Sequence, residues 1–167
     1  GELMHADSIH FPDSLKYQTK KLARTVYGGG GIMPDFFVPI DTTQYTDYHR
    51  NIVAKGVVIK TTMKFIESHR KELQSKYKKF ETFNDKFEIS DEILANMQTL
   101  AEQEKIKFDE KQYRKSLPLI KTQLKALIAR DLWDMNEYFQ IMNPTDSSVI
   151  QALKVLNAGA YENVVRL

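Results

Sequence analysis

The chain has 167 residues, with 24 basic side chains, 22 acidic side chains and no cysteine. This length suits about one domain, and a composition that is 42% hydrophobic and 28% charged excludes an intrinsically disordered chain. A formal charge of +2 disfavours an electrostatic nucleic-acid surface, the lack of cysteine excludes disulfides and thiolate metal sites, and no apolar run is long enough to span a bilayer.

The first 40 residues carry the β-type sequence of the chain. Residues 1–16 have no firm period, and Pro12-Asp13-Ser14 predicts a turn among loop or short extended structure. Residues 17–40 predict two short strands, 25–27 and 36–38, on either side of four consecutive glycines. Open strand edges pair with each other or with another chain, so this segment also predicts a homodimer contact through residues 17–40.

A motif inside this segment reads Tyr-Gly-Gly-Gly-Gly-Ile-Met-Pro-Asp over residues 27–35. It resembles a signature near the end of the catalytic core of carboxyl-terminal processing (tail-specific) serine proteases. The resemblance covers about residues 17–41, and Ala23 stands where that family usually has glycine. The positions that match the family pattern are Thr19, Arg24, Tyr27, Gly28, Gly29, Gly30, Gly31, Ile32, Pro34 and Asp35.

The resemblance implies an α/β core with a PDZ-like module and a Ser-Lys dyad, in which serine attacks the peptide bond and lysine acts as base. In that family both catalytic residues precede the motif. Ser8 and Ser14 do precede it here, but neither lies in a small-residue turn typical of a nucleophile. We therefore assign no catalytic residue and expect this chain alone to be inactive.

The implied role is a non-catalytic C-terminal region of such a peptidase, structural or regulatory, with the catalytic core of the same protein as its partner. The family resemblance implies a location in the cell envelope or periplasm. The alternative is an independent helical protein-interaction module unrelated to proteolysis.

From Tyr45 onward the apolar period becomes helical. Ile52, Ile59, Ile66 and Leu73 recur every seven residues. This spacing predicts one long amphipathic helix capped by Thr43 or Thr46, with Gly56 marking a close helix crossing. Three phenylalanines then predict a helical turn or two, interrupted at Asn84-Asp85; they are Phe80, Phe83 and Phe87.

Caps and proline divide the remaining helical sequence. Ser90, followed by Asp91 and Glu92, predicts an N-terminus, and residues 109–112 predict a capping box. The apolar pattern then runs to Met142, and Pro118 predicts a kink or a new start near Ser116. A last helix capped by Thr145 or Asp146 is predicted to stop at Gly159 and to turn four side chains inward, namely Val149, Ile150, Leu153 and Leu156.

Together these elements predict a mostly α fold, an irregular four- to five-helix bundle with a small N-terminal β-hairpin or short sheet. The predicted domains are residues 1–44, the end of a protease core, and residues 45–167, a helical C-terminal domain.

Other chemistries are weaker interpretations of the same residues. A phosphate-binding loop needs Lys and Ser/Thr after its last glycine, whereas Ile32-Met33-Pro34-Asp35 follows here, so a tight structural loop is favoured. His5, Asp7 and His10 lie close in sequence without a helical ligand spacing. His49 and His69 are too far apart to share a metal. We expect solvated or capping histidines, and neither a metal nor a cofactor.

Three further sets of residues are interpreted as solvent-exposed or as packed in the core, rather than as functional sites. The carboxylates of Asp131 and Asp134 and the lysine-rich run 76–79 are typical of a wet helix face. Four aromatic residues are interpreted as packing rather than as a ligand cage, namely Tyr113, Trp133, Tyr138 and Phe139. An exposed anchor for a partner is the alternative for Trp133, which lies near Met135.

Overall fold

A computed structural model describes residues 11–21, 23–29, 34–160 and 162. Over these residues the fold is mostly α, with seven α-helices and a two-stranded antiparallel sheet near the N-terminus, which confirms the predicted fold class. The chain divides into two compact units, Thr42–Thr145 and the combined flanking segments Gly1–Asp41 and Asp146–Leu167. The domain boundary placed after residue 44 stays a prediction.

Within the helical unit the elements follow one another with short connections. The flanking unit contains β1 (Lys16–Gln18), β2 (Thr25–Tyr27) and α7 (Ser147–Asn157), with a short 3-10 helix at Asp13–Leu15. The helical unit contains α1 (Asp47–Ala54), α2 (Val57–Lys76), α3 (Phe80–Lys86), α4 (Asp91–Gln103), α5 (Glu110–Leu132) and α6 (Met135–Met142), followed by a 3-10 turn at Asn143–Thr145. None of the helices in the described ranges combines the length and the hydropathy needed to cross a bilayer.

The sheet pairs different residues from those expected. Strand β1 runs antiparallel to β2 with Tyr17 opposite Val26. The strand at residues 25–27 is therefore confirmed, but the predicted partner strand at 36–38 is wrong, because those residues have no regular structure. Pro34 and Pro39 flank them and cannot donate to a ladder, so β2 pairs with the residues before it.

The helical unit closes around α5. This helix packs against α1, α2 and α6, and α2 packs also against α4. Ile120, Leu124 and Ile128 of α5 are fully buried; each such side chain contributes about 1.5–3 kcal/mol to folding. Ile52 of α1 and Met97 of α4 are equally inaccessible, so one apolar core serves most of the unit.

The predicted long helix from Tyr45 is wrong, because the chain breaks into α1 and α2 at Gly56. Gly56 has φ +69°, a left-handed conformation that glycine adopts without penalty. An added Cβ at this position would meet nothing within 4 Å, so the predicted close crossing is also wrong. The cap at Thr46 is confirmed, since its side chain accepts from the His49 N–H.

Helices α3 and α4 begin near the predicted positions, but α3 is not interrupted where expected. Phe80 and Phe83 are buried on α3, which continues through Asn84 and Asp85, so the predicted interruption is wrong. The Ser90 cap of α4 is confirmed. At the other end Lys105 takes φ +57°, and Ile106 N–H donates to the Ala101 carbonyl at 2.9 Å, which closes the helix with a left-handed residue as in a Schellman motif.

Helix α5 runs unbroken through Pro118, so the predicted new start near Ser116 is wrong. The break that the apolar pattern does not reveal lies at Trp133, whose backbone (φ −126°, ψ −98°) ends α5. Asp134 then caps α6 by accepting from the Met135 N–H. The predicted end at Asn143-Pro144 is confirmed, since α6 ends at Met142.

Helix α7 has the predicted ends but not the predicted burial. Asp146 accepts from two amides of the first turn, and Gly159 takes φ +64° after the last turn, so the cap and the stop are confirmed. The inward placement of its apolar side chains is wrong for Ile150, Leu153 and Leu156, which are 37%, 54% and 59% exposed. Periodicity indicates which residues share a face, not whether that face meets another element.

Gly56→Ala tests the helix break. Alanine in a left-handed conformation destabilises the fold, by about 1 kcal/mol, whereas alanine inside a continuous helix would stabilise it by a similar amount. Urea unfolding followed by circular dichroism at 222 nm gives the sign. The matched variant Gly56→Asn is expected to lose less stability, because asparagine tolerates this conformation. A gain in stability for alanine would contradict the break.

Candidate functional site

The motif residues Thr19 and Arg24 lie between β1 and β2, where the chain reverses direction. The Thr19 N–H donates to the Arg24 carbonyl at 3.0 Å, and the Arg24 N–H donates to the Thr19 hydroxyl at 3.1 Å. Ala23 has φ +49°, a left-handed conformation that glycine adopts more readily than alanine. The turn therefore has a physical reason to prefer glycine at position 23.

Strands β1 and β2, with the described residues around them from Lys16 to Asp35, are called the ribbon below. The ribbon brings two distant motif positions together. The Arg24 guanidinium forms an ion pair with the Asp35 carboxylate, eleven residues further along the chain. Gly28 lies against the Tyr17 ring, and a Cβ at this position would come within 2.6 Å of the ring. Arg24 and Asp35 thus stabilise the ribbon by charge, and Gly28 permits close approach of the backbone.

Among the motif residues that the structure describes, none lies in a cluster of reactive side chains. Tyr27 is half-buried and Gly29 and Pro34 are exposed, while Gly30, Gly31 and Ile32 lie outside the described residues. Ser14 is exposed in the 3-10 helix; Ser8, His5, Asp7 and His10 also lie outside the described residues. The described motif residues therefore make structural contacts, and the link to a serine protease still depends on the sequence resemblance alone.

A buried polar cluster joins the N-terminus of α1 to α5. The Ser116 hydroxyl is completely buried; it donates to the Gln44 carbonyl at 2.7 Å and lies 2.7 Å from the Thr46 hydroxyl. Gln112 accepts from the Tyr48 N–H at 2.8 Å. Gln112 thus pairs an amide in the first turn of α1 that its own helix cannot pair, and Ser116 binds two residues that precede this helix.

The cluster was not predicted as a site, but one signal for it was present. Gln112 was expected to close a capping box, and its backbone N–H does donate to Asp109 at 2.9 Å. Its side-chain oxygen pairs with Tyr48 instead of the Asp109 backbone. A new helix start was predicted near Ser116 because Pro118 follows it. The buried Ser116 side chain instead forms hydrogen bonds that connect α5 to the residues before α1.

His49 belongs to this buried interface. It is 2% exposed, and its Nε2 lies 2.9 Å from the Gln123 side-chain oxygen, so Nε2 carries the proton and donates. The expectation of a solvated or capping histidine is wrong for this residue, because the α1–α5 contact covers the ring. His69 is half-buried and contacts the Phe65 carbonyl. No cluster of metal-ligating side chains occurs among the residues that the structure describes.

The Tyr48 hydroxyl, like Nδ1 of the neighbouring His49, is buried without a hydrogen-bond partner in the described part of the chain. The residue is 3% exposed, and its oxygen has no hydrogen-bond partner, while its ring contacts those of Phe108 and Tyr113 edge-on. Burial, and then the neighbouring Tyr113, raise the pKa of Tyr48 to about 12. Ionising this phenol inside the fold is therefore unfavourable.

A small hollow lies where α2 and α5 end. Its volume is about 220 Å³, and its lining residues are Gln74, Tyr77, Lys78, Leu132 and Trp133. Trp133, predicted either to pack or to anchor a partner, contacts Phe80 and Phe83 with ring centroids 5.9 and 5.3 Å apart. Tyr113 and Tyr138 also pack at the core, whereas Phe139 is 50% exposed.

The predicted wet face around Asp131 holds in part. Asp131 is half-buried. Its carboxylate forms an ion pair with the Arg70 guanidinium across the α2–α5 contact, with 3.6 Å between Asp131 Oδ1 and Arg70 Nη2. Asp134 is an exposed cap of α6 rather than a partner of Asp131 on one helix face. The two carboxylates therefore have separate structural roles.

The comparisons with known proteins place the match on the helical unit. The model of a family of unknown function, DUF8443, matches residues 48–134, which is more than half of the chain. The match runs from α1 to the cap of α6 and includes the hollow and, from the polar cluster, Tyr48, Gln112 and Ser116, but not Gln44 or Thr46. No curated protein and no solved structure matches the chain.

Ser116→Ala tests the polar cluster. The change removes the donor of the partly buried hydrogen bond to the Gln44 carbonyl, so the free energy of unfolding is expected to fall by about 0.5–1.5 kcal/mol. Urea unfolding at pH 7 measures it. The control is Ser68→Ala on α2, where an exposed hydroxyl bonds only to its own helix and the expected change is within about 0.5 kcal/mol. Equal losses in both variants would contradict the role of Ser116.

Tyr48→Phe tests the buried hydroxyl. The folded pKa of about 12 lies above the ordinary value of 10.0, so the folded state holds the proton between these values. Stability is therefore present below pH 10 and is lost as the pH rises toward 12.

Phenylalanine is expected to remove much of that alkaline loss and to be neutral or slightly stabilising at pH 7, because no hydrogen bond is lost. Unfolding curves between pH 7 and 11.5 measure both effects. Tyr45→Phe, at an exposed position, is the control. An alkaline slope unchanged by Tyr48→Phe would contradict the assignment.

Proposed function

The chain belongs to DUF8443, a family of unknown function, and we propose that it is the non-catalytic C-terminal region of a carboxyl-terminal processing serine peptidase. In this proposal the ribbon closes the protease core, and the helical unit is a module attached to it. The parent protein hydrolyses peptide bonds with a serine nucleophile and a lysine base, and this region supplies neither.

The observation that carries the proposal is the structure of the motif turn. Thr19 and Arg24, the first two matching positions, are hydrogen-bonded to each other twice, and Arg24 reaches Asp35, the last one. Positions spaced across the motif thus contact one another, as expected if they are one structural unit. Ala23 takes the left-handed conformation at the position where the protease family usually has glycine.

The helical unit has the properties of an attached structural or regulatory module. Its core consists of its own side chains from α1 to α6, so it needs no protease segment to bury them. Such a module can shape substrate access, bind an adaptor or hold protomers together. By resemblance, the parent acts in the cell envelope or periplasm.

The second candidate is an independent helical protein-interaction module. The family match favours it in one respect, because residues 48–134 contain neither the ribbon nor α7. A family defined on the helical unit alone can occur without a protease core.

The test is the gene and its complete product. The reading frame is sequenced upstream of the codon for Gly1, and the whole protein is purified and incubated with a fluorescently labelled unfolded protein. We expect upstream codons for a serine-nucleophile turn and a lysine site, cleavage by the whole protein, and its loss when that serine is changed to alanine. The chain of 167 residues alone is expected to cleave nothing.

Two outcomes would overturn the proposal. One is a reading frame that starts near Gly1, or an upstream region without the serine and lysine; this result favours the interaction module. The other is turnover by the present chain that persists after Ser8 and Ser14 are changed to alanine and that co-purifies with the chain.

A further inference from the structure

The hollow at Trp133 has rigid walls. Trp133 packs on Phe80 and Phe83 at the break between α5 and α6. Tyr77, which ends α2, contacts the Phe83 ring edge-on at 5.4 Å and is 5% exposed. The core therefore holds both aromatic walls, while two exposed side chains, Gln74 and Lys78, complete the lining.

Two hydrogen-bond donors at the hollow, the Trp133 indole N–H and the Lys78 ammonium, form no hydrogen bond or ion pair among the described residues. No hydrogen bond among the described residues uses the indole N–H of Trp133, although this atom is not among the buried unsatisfied groups and so is open to solvent. Lys78 lines the hollow, and Lys76 lies with its ammonium 5.3 Å from the Tyr77 ring centroid. The ion pairs of the described chain include neither lysine, nor Lys79.

The carboxylate of Asp131, on the last turn of α5, faces two arginines rather than these lysines. Asp131 pairs with Arg70 at 3.6 Å and lies 3.9 Å from Arg130, so its charge is already compensated by two guanidinium groups. Lys78, which forms no ion pair among the described residues, therefore places a positive charge at the rim of a hollow whose other walls include Tyr77, Leu132 and Trp133. The chemistry that complements it is an apolar group carried next to a carboxylate.

We propose that this hollow binds an acidic peptide segment of a protein partner. One apolar side chain of the peptide enters between Trp133 and Leu132, and a neighbouring carboxylate pairs with Lys78 and accepts from the indole N–H. The volume of about 220 Å³ is below the range of about 300–1,000 Å³ typical of small-molecule sites. It suits a single side chain, and tryptophan is a common centre of protein interfaces.

The inference is independent of the protease proposal, because it depends only on the helical unit. An adaptor peptide would serve either the attached module or the independent module. Single-stranded nucleic acid is the main competing occupant, since bases stack on aromatic side chains beside positive charge. The chain's formal charge of +2 favours the peptide.

The chain provides its own probe, because Trp133 is its only tryptophan. Its emission is followed while three synthetic hexapeptides are added in 0.1 M salt: four aspartates around Leu-Phe, four lysines around Leu-Phe, and four aspartates around Gly-Ser. We expect saturation with the first peptide, at a dissociation constant below about 1 mM, and not with the other two. A thymidine oligonucleotide of ten bases is the fourth ligand.

Lys78→Glu is expected to weaken binding of the first peptide by about fivefold or more. Lys115→Glu, at an exposed lysine of α5, is the matched charge reversal and is expected to leave binding unchanged. Circular dichroism at 222 nm verifies that both variants are folded. A second measurement, by titration calorimetry, uses unlabelled protein and the same peptides.

The proposal is overturned if no peptide saturates the signal up to 1 mM, or if the lysine peptide binds as well as the aspartate peptide. It is also overturned if the oligonucleotide binds more tightly, or if Lys78→Glu and Lys115→Glu weaken binding equally. A loss specific to Lys78→Glu, seen by both methods, supports it.

Discussion

The first turn of α1 has backbone N–H groups that its own helix cannot pair, and α5 provides partners for this end of the helix. Gln112 accepts from the Tyr48 N–H, Thr46 from the His49 N–H, and Ser116 ties Thr46 to the Gln44 carbonyl. These hydrogen bonds are partly buried, and each contributes about 0.5–1.5 kcal/mol to stability. The contact therefore determines how α1 approaches α5, and the apolar core with Ile52 and Ile120 forms around that arrangement.

Two breaks in the helical pattern then shape the surface of the unit. Gly56 ends α1 and lets α2 begin in a new direction, so that both Ile52 and Val57 are fully buried. Trp133 ends α5, and its ring fills the space beside Phe80 and Phe83. The hollow between Tyr77 and Leu132 is a consequence of that second break, and it places a tryptophan and a lysine at one spot on the surface.

The ribbon outside the helical unit follows a different principle. Its strands are three residues long and mostly exposed, so burial contributes little to its order. Local constraints take that role: the Thr19–Arg24 hydrogen bonds, the left-handed Ala23, the close approach at Gly28 and the Arg24–Asp35 pair. A segment built this way suits an edge that another part of a protein completes, which is the physical basis of the protease proposal.

The amino-acid sequence alone was enough to predict the local features of this fold. The caps at Thr46, Ser90, Asp109 and Asp146, the strand at 25–27 and the stop at Gly159 all depend on residues within a few positions of each other, so short-range chemistry was sufficient to predict them. The mostly α fold followed from the apolar period in the same way.

Four outcomes could be read only from the packed fold: which strand β2 pairs with, where α1 and α5 end, which histidine is buried, and whether the apolar face of α7 is covered. These outcomes depend on groups that are distant in sequence, such as Ser116 with Gln44 or His49 with Gln123. A helical period is compatible with a break wherever one residue can take a different backbone conformation, and the free energy of packing, not the local pattern, selects that residue.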